Sequence, residues 1–487
     1  MFSTITTERN PQPAAIATPL DSIARRLLLC GLIVGVFCLT KPYVLLASLG
    51  VCLLVFGCMV CVRPLHRVAT IVIVILGYWL ASGLISGGVQ PDVLASRDFW
   101  RGEGRCFLFY VPLLATTFLT VSKPDLRFLV TMVCLLTFLG AILFAAWMAG
   151  FGDFQAEQDP VTGEAIESTY FVGFMTSHTG AGAFWATVAA FLFGFSLPTR
   201  ARVIQVLALA AVLLTLGTGG RAATLGLVSV VVWMFAFGRM FTVRALQLAV
   251  PGGILVVAAG WGLMGALPEV NERMAELFDQ RTVRSIASVA KQPTLHRASG
   301  TFYSGSNLEH HNLVIRVFLW KYALRLFQES PLIGIGYGRF NDSNLEFAGI
   351  PSVLNLAVRG EKFTGAGINW EEGQLMSSTG NAHNSYLHTL AETGLFGLTL
   401  LLYLWYLMYQ FCSPTASPEV QHDPFLRGYC LGCQAGIVCL LATSLAGHAL
   451  AAPSGGILLT TLIGSWMAYR SFASSDDESN VAARVET

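Results

Sequence analysis

Runs of about twenty apolar residues recur along most of this chain, separated by short polar turns. A run of that length crosses the hydrocarbon core of a bilayer as a single helix. Twelve such spans are expected, at 23–40, 42–62, 67–87, 106–122, 126–150, 171–197, 201–217, 221–241, 243–267, 385–411, 426–449 and 453–471. Only 12% of the 487 residues are charged, about half the share in a typical soluble protein. So few charges cannot coat a water-soluble body this large, whereas a lipid-facing surface needs none. Soluble enzyme, secreted disulfide scaffold and disordered regulator are excluded. A net charge of +1 gives no field that would attract nucleic acid. The eleven cysteines lie almost all within apolar runs, including the Cys430/Cys433 pair, and read as small hydrophobes. The expected fold class is an all-α integral membrane protein.

Basic residues in short turns set the orientation of such a protein. With the N-terminus inside, the inner turns hold Arg63 and Arg67, Lys123 and Arg127, Arg200 and Arg202, Arg239 and Arg244, and Arg427. The outer turn at 151–170 holds Asp153, Glu157, Asp159, Glu164 and Glu167, with no Lys or Arg. Both termini are then cytoplasmic. Arg25-Arg26 opens a first span with no small-residue cleavage site after it, which reads as a retained anchor. The expected organisation is a cytoplasmic segment at 1–22, nine helices over 23–267, an outer loop at 268–384, three helices over 385–471 and a disordered tail at 472–487. A connection as long as 268–384 is usually functional. The inner turns are too short to house a nucleotide-binding domain.

Three features on the outer side carry the candidate chemistry. GTGGRAAT at 217–224 is a glycine turn whose amides can form an anion nest. Arg221 then opens a helix whose N-terminal dipole also favours an anion; the same arginine also reads as a snorkelling side chain. The second feature is an amphipathic stretch at 311–340, helical to about Glu329 and ended by Pro331. Lys321 and Arg325 share one face at i,i+4. Arg316 lies with Trp320, Ala323 and Phe327 on the more apolar face, where a cation wants either an anion or an ion pair with a loop acid. GIGYGRF at 334–340 reads as a turn. The third is NAHNSYLHTLAETGLFGL at 381–398. His383 precedes the membrane entry of the tenth span, His388 lies one turn inside and Glu392 one turn deeper. An acid inside a span is costly and marks a functional candidate; a helix-tying hydrogen bond is the alternative for Glu392, and capping or packing for His383.

Arg97, Arg101 and Arg105 fall in the second outer connection, His178 near the outer end of the sixth span, and His296, His310 and His311 in the large loop. No HExxH or Cys/His ligand spacing is present in the sequence. No metal site or cofactor is expected. A lipid-linked diphosphate would bring its phosphates to the depth of Arg221 and His383. Fixed arginines could hold that diphosphate and stabilise the charge it gains on leaving. A histidine is suited to taking a proton at neutral pH.

The run from Arg316 through PLIGIGYGRF, followed by HNSYLHTLAETGLFGL, resembles the shared core of the bacterial O-antigen ligase and O-antigen polymerase superfamily. The resemblance covers about 311–400, with a weaker match at the GxxGR turn. Twelve spans with one large outer loop between the ninth and tenth resemble the ligase branch. The resemblance implies a glycosyltransferase of the Gram-negative inner membrane working on the periplasmic side. It implies an undecaprenyl-diphosphate-linked glycan as donor, the lipid A-core sugar as acceptor, and membrane lipids as surroundings. It matches His383 to the family's essential loop histidine, the proposed base, and Arg221 and Arg316 to arginines that hold the diphosphate. Asn384, His388, Glu392, Lys321, Arg101 and Arg105 are supporting candidates. A polymerase or a protein O-oligosaccharyltransferase would use the same chemistry on another acceptor. A lipid or glycan transporter would usually need inverted repeats and polar groups at the midplane, and apart from Glu392 the charges sit at span ends.

Overall fold

The computed structural model describes residues 19–37, 43–60, 67–87, 105–151, 156–158, 165–167, 170–173, 175, 178–236, 311–340, 382–415, 418–450 and 453–485. The elements in chain order are α1 (Pro19–Phe37), α2 (Tyr43–Val60), α3 (Arg67–Ser86), α4 (Arg105–Thr116), α5 (Lys123–Met148), β1 (Ala156–Gln158), β2 (Ala165–Glu167), α6 (His178–Thr199), α7 (Arg202–Gly217) and α8 (Arg221–Ala236). They are followed by α9 (His311–Glu329), α10 (Ser385–Phe411), α11 (Pro418–His422), α12 (Pro424–Thr443) and α13 (Pro453–Val485). Five of the described helices, α3, α5, α6, α10 and α12, are long and apolar enough to cross a membrane. Helices α5, α2 and α8 turn Phe138, Leu54 and Val232 outward, as a lipid-facing surface requires.

Each expected span except 243–267, which lies outside the described residues, coincides with a helix. The ends differ in places. Helix α12 stops at Thr443, not 449, and residues 444–450 form an irregular turn. Helix α13 continues to Val485, so 472–485 is helical where the sequence reads as a disordered tail. The all-α expectation is modified by one small antiparallel ribbon in the acidic 151–170 connection, pairing Ala156 with Glu167 and Gln158 with Ala165. Such pairing satisfies backbone groups in a connection with no helical period.

Helices α6 and α12 form the centre of the bundle. Small residues let their backbones approach closely, as in other membrane helix pairs. A Cβ on Gly194 would come within 2.6 Å of the Leu431 carbonyl, and one on Gly432 within 2.7 Å of that of Phe191. The start of each helix is set locally. At the start of α5 the Ser122 amide and hydroxyl both donate to Asp125 Oδ2 at 3.0 and 2.7 Å, and Asp423 accepts from the amides of Phe425 and Leu426 at 2.8 and 3.3 Å to start α12. Charges gather at this end of the bundle: Arg25 and Arg26 on the buried Asp125, and Lys123 on Asp423. Burial pushes the Asp423 carboxyl up, but the hydrogen bonds from Lys123, Leu426 and Phe425 outweigh it and hold the group below the usual carboxylate range.

One helix is broken. Gly394 in α10 has φ 67° and ψ −168°, a region open essentially to glycine alone. The 330–336 segment that follows α9 crosses α10 at this break. The Ile335 and Gly336 amides donate to the carbonyls of Ala391 and Glu392 at 3.1 and 2.9 Å, and the Leu395 and Phe396 amides donate to those of Pro331 and Leu332 at 2.9 and 3.1 Å. The Tyr78 hydroxyl of α3 lies 3.0 Å from the Ile333 carbonyl and 3.1 Å from that of Thr393. The groups freed by the break are thus paired across two chain segments, as a low-dielectric surrounding demands. A Cβ on Gly394 would clash with the Leu332 carbonyl group. We expect Gly394→Ala to cost at least about 1–3 kcal/mol from the backbone conformation alone. A thermal unfolding scan in detergent would show this as a lowered midpoint; an unchanged midpoint would contradict the crossing.

Candidate functional site

The turn after α12 gathers the candidate residues at the end of the bundle opposite Asp423. Carbonyls in this turn are taken by donors from other segments. The Ser385 amide donates to Ser444 and Gly447 at 3.0 and 3.2 Å. Asn384 Nδ2 donates to the Leu445 carbonyl at 2.9 Å. Arg316 Nη1 donates to the Ala446 carbonyl at 2.9 Å. A cation beside the C-terminal end of a helix is also favoured by the helix dipole. Leu319 and Ala323 of α9 are buried, and Arg316 is half-buried. This carbonyl contact ties α9 to the turn.

Helix α8 reaches the same turn. The Ala222 Cβ lies 3.4 Å from where a Cβ on Gly447 would stand, and Gly226 packs against Cys439 and Thr443 of α12. Arg221 is the first residue of α8, one position from that contact. The glycine turn before it is held internally. The Thr218 amide bonds Leu214 and Thr215, the Gly219 amide bonds Leu216 at 3.0 Å, and the Gly220 amide bonds the Thr218 hydroxyl at 3.3 Å. Those amides are therefore not the open anion nest that the sequence suggests. The capacity for an anion rests with the first turn of α8 and the Arg221 side chain. Tyr170 packs on Gly219 and lies 5.1 Å, ring to ring, from His178.

His383 stands just before the cap of α10, with φ 47°. A positive φ on a non-glycine residue is uncommon and marks an imposed position. Asn384 supplies the cap: its Oδ1 accepts from the Tyr386 and Leu387 amides at 3.0 Å each. One side chain thus starts α10 and ties it to the 444–447 turn. Deeper in α10, His388 Nε2 lies 3.4 Å from Glu392 Oε2, and Glu392 is buried. Glu392 Oε1 accepts from the Phe340 amide at 3.0 Å. A small cavity is shared by Ser385, His388, Thr389, Glu392, His448 and Trp79.

Arg221, Arg316, His383 and Asn384 therefore belong to segments that meet at one turn, with His388 and Glu392 beneath. Arg325 instead pairs with Glu329 on the surface. Arg97, Arg101, His296 and His310 lie outside the described residues, as do the side chains of Arg105, Lys321 and His311. Among the described residues no group of three or more His, Cys, Asp and Glu side chains could hold a metal ion. Sequence reasoning missed His448, whose ring lies 4.7 Å from that of His388. The only available signal was a histidine in the otherwise apolar LAGHALAA run.

A multi-pass helical membrane protein with arginines and a histidine drawn to one turn is the class defined so far. The comparison with known families is consistent with this class. The family model described as O-antigen ligase matches residues 203–402, a stretch containing Arg221, Arg316 and His383, and supports membership of the chain in the O-antigen ligase superfamily. That family is of the membrane glycosyltransferase type. No curated protein matches the chain.

The cap geometry has a direct test. Asn384→Ala removes both the cap and the tie to Leu445, and we expect it to cost about 1–2 kcal/mol. Asn384→Asp keeps the cap acceptor and should cost less. Thermal unfolding of the purified variants checks the order, and equal losses would contradict the two-part role.

Proposed function

We propose that the chain is an O-antigen ligase. It transfers a glycan from undecaprenyl diphosphate to the lipid A-core sugar of lipopolysaccharide, at the periplasmic face of the Gram-negative inner membrane. The observation that carries this reading is the shared turn at 444–447, which accepts hydrogen bonds from Arg316 and Asn384 and packs against the start of α8. A donor diphosphate seated there meets two guanidinium-bearing segments and the histidine that precedes α10.

The chemistry follows from the charge that moves. His383 takes the proton of an acceptor hydroxyl as its oxygen attacks the anomeric carbon of the donor sugar. The bond from that carbon to the diphosphate oxygen breaks in the same step, with inversion. The electron pair leaves on the diphosphate, where Arg221 and Arg316 neutralise it. Preorganised cations aimed at developing charge are effective because they need no reorganisation as the bond breaks. No ATP is required, since cleavage of the donor's bond between the anomeric carbon and the diphosphate supplies the driving force. The guanidinium groups take the role that a divalent ion serves elsewhere, so the transfer is metal-independent.

Reconstitution with purified lipid-linked glycan tests the reading, with lipid A-core, a second donor lipid or a peptide offered in turn. The ligase reading expects transfer to lipid A-core. Extension of the donor glycan would instead identify a polymerase, and a glycosylated peptide a protein O-oligosaccharyltransferase. His383→Ala should lower transfer on the order of 100-fold or more, and Arg221→Ala or Arg316→Ala by about 100-fold. Near-normal transfer by His383→Ala would overturn the base assignment. Activity should persist in a chelator; loss that a divalent cation restores would overturn the metal-free mechanism.

A further inference from the structure

Glu392 is a carboxyl buried within a membrane-crossing helix, and its two oxygens face different segments. Oε1 accepts the Phe340 amide at 3.0 Å, and Oε2 lies 3.4 Å from His388 Nε2. The His388 ring stands between two others, that of Phe340 at 4.8 Å and that of His448 at 4.7 Å. Phe340 ends the described segment that leaves α9, the helix carrying Arg316. His448 belongs to the 444–450 turn that accepts from Arg316 and Asn384. His388 is on α10, five residues after His383. Phe340 also joins Leu319, Ala323 and Leu326 of α9 with Ala382 and Ala391 in one small apolar cluster.

We propose that Glu392, acting with His388, is a positioning residue that fixes Arg316 relative to His383. The inference rests on the ligase reading, in which one holds the diphosphate and the other takes the acceptor proton. The geometry gives the reason. The crossing at Gly394 secures residues 331–336 to α10 by backbone bonds alone. Beyond it, the Tyr337 amide donates to Ser82 Oγ at 3.3 Å and its ring stacks on Trp79, and Asn384 and Ser385 tie the start of α10 to the 444–447 turn, but none of these bonds engages the Phe340 amide. The Glu392 bridge adds the tie at Phe340, joining its amide to the helix one turn below His388. A buried carboxyl is costly in a membrane span, and a hydrogen-bonded bridge between two segments offsets that cost. Misplacement of reacting groups by about 1 Å can lower a rate by about 100-fold, so a residue that touches no substrate can still set kcat.

The test compares Glu392→Gln, Glu392→Leu and His388→Phe in lipid nanodiscs by two readouts. The first is amide hydrogen exchange across 334–340; the second is transfer kinetics with varied lipid-linked donor. Glu392→Gln keeps an acceptor for the Phe340 amide and should retain protection and most of kcat. Glu392→Leu should lose protection at the Phe340 amide and lower kcat about 10- to 100-fold, with donor KM within about threefold of wild type. His388→Phe keeps a ring between Phe340 and His448 but removes the partner of Oε2, and should show the same split in milder form. It decides the matter if Glu392→Leu does not fold. Unchanged kcat in both Glu392→Leu and His388→Phe overturns the proposal. So does Glu392→Gln that is as impaired as Glu392→Leu, because the charge and not the bridge would then be at work. If wild type transfers glycan to no acceptor, the ligase reading fails and the catalytic assignment with it. The exchange pattern then still decides whether Glu392 holds the chain at Phe340.

Discussion

In a lipid surrounding every backbone amide and carbonyl must find its partner within the protein. That constraint governs the two irregular places on which this architecture turns. Helix α10 opens at Gly394, and the segment after α9 fills the opening with reciprocal amide–carbonyl bonds. Helix α12 ends at Thr443, and carbonyls of the turn beyond it are satisfied by Ser385, Asn384 and Arg316. Each irregular place is satisfied by groups from a distant part of the chain. The residues that carry the candidate chemistry are held by these same bonds.

The separation of roles along α12 is equally physical. Its first residues sit beside Lys123 and Arg127, where Asp423 both caps the helix and binds Lys123. Its middle is packed against α6 by glycines, with no room for a larger side chain. Its far end leads into the turn that Arg316 and Asn384 reach. One rigid rod thus connects a charged anchor at one end to the candidate site at the other. The neighbours α8 and α10 are brought to that site by packing on the same rod.

Much of this was legible in the sequence, because run length dictates where helices lie. Spans at 67–87, 126–150, 201–217 and 385–411 match α3, α5, α7 and α10 to within a few residues. The local periodicity of 311–329 also placed Arg316 on its buried face. What remained hidden depends on distant partners. ETGLFGL reads as uninterrupted helix, and only the presence of Leu332 and Gly334 beside it reveals why Gly394 breaks it. The apolar run through 449 conceals the end of α12, since the groups that stop it come from 316, 384 and 385. The sequence leaves Arg316 either an anion or a loop acid as partner, and its contact with the Ala446 carbonyl leaves no trace in residue identity. His448 was invisible for a similar reason: its importance comes from the ring it meets and not from its neighbours in sequence.

The crossing at Gly394 also bears on how such a chain enters a bilayer. The two halves of α10 on their own would present unpaired main-chain groups to hydrocarbon at the point where they separate, a costly state. Those groups find partners in the segment between Pro331 and Gly336, which fills the gap. That segment leaves the ribosome before α10 does. Complete pairing of this helix's main chain is therefore linked to the docking of a stretch already made.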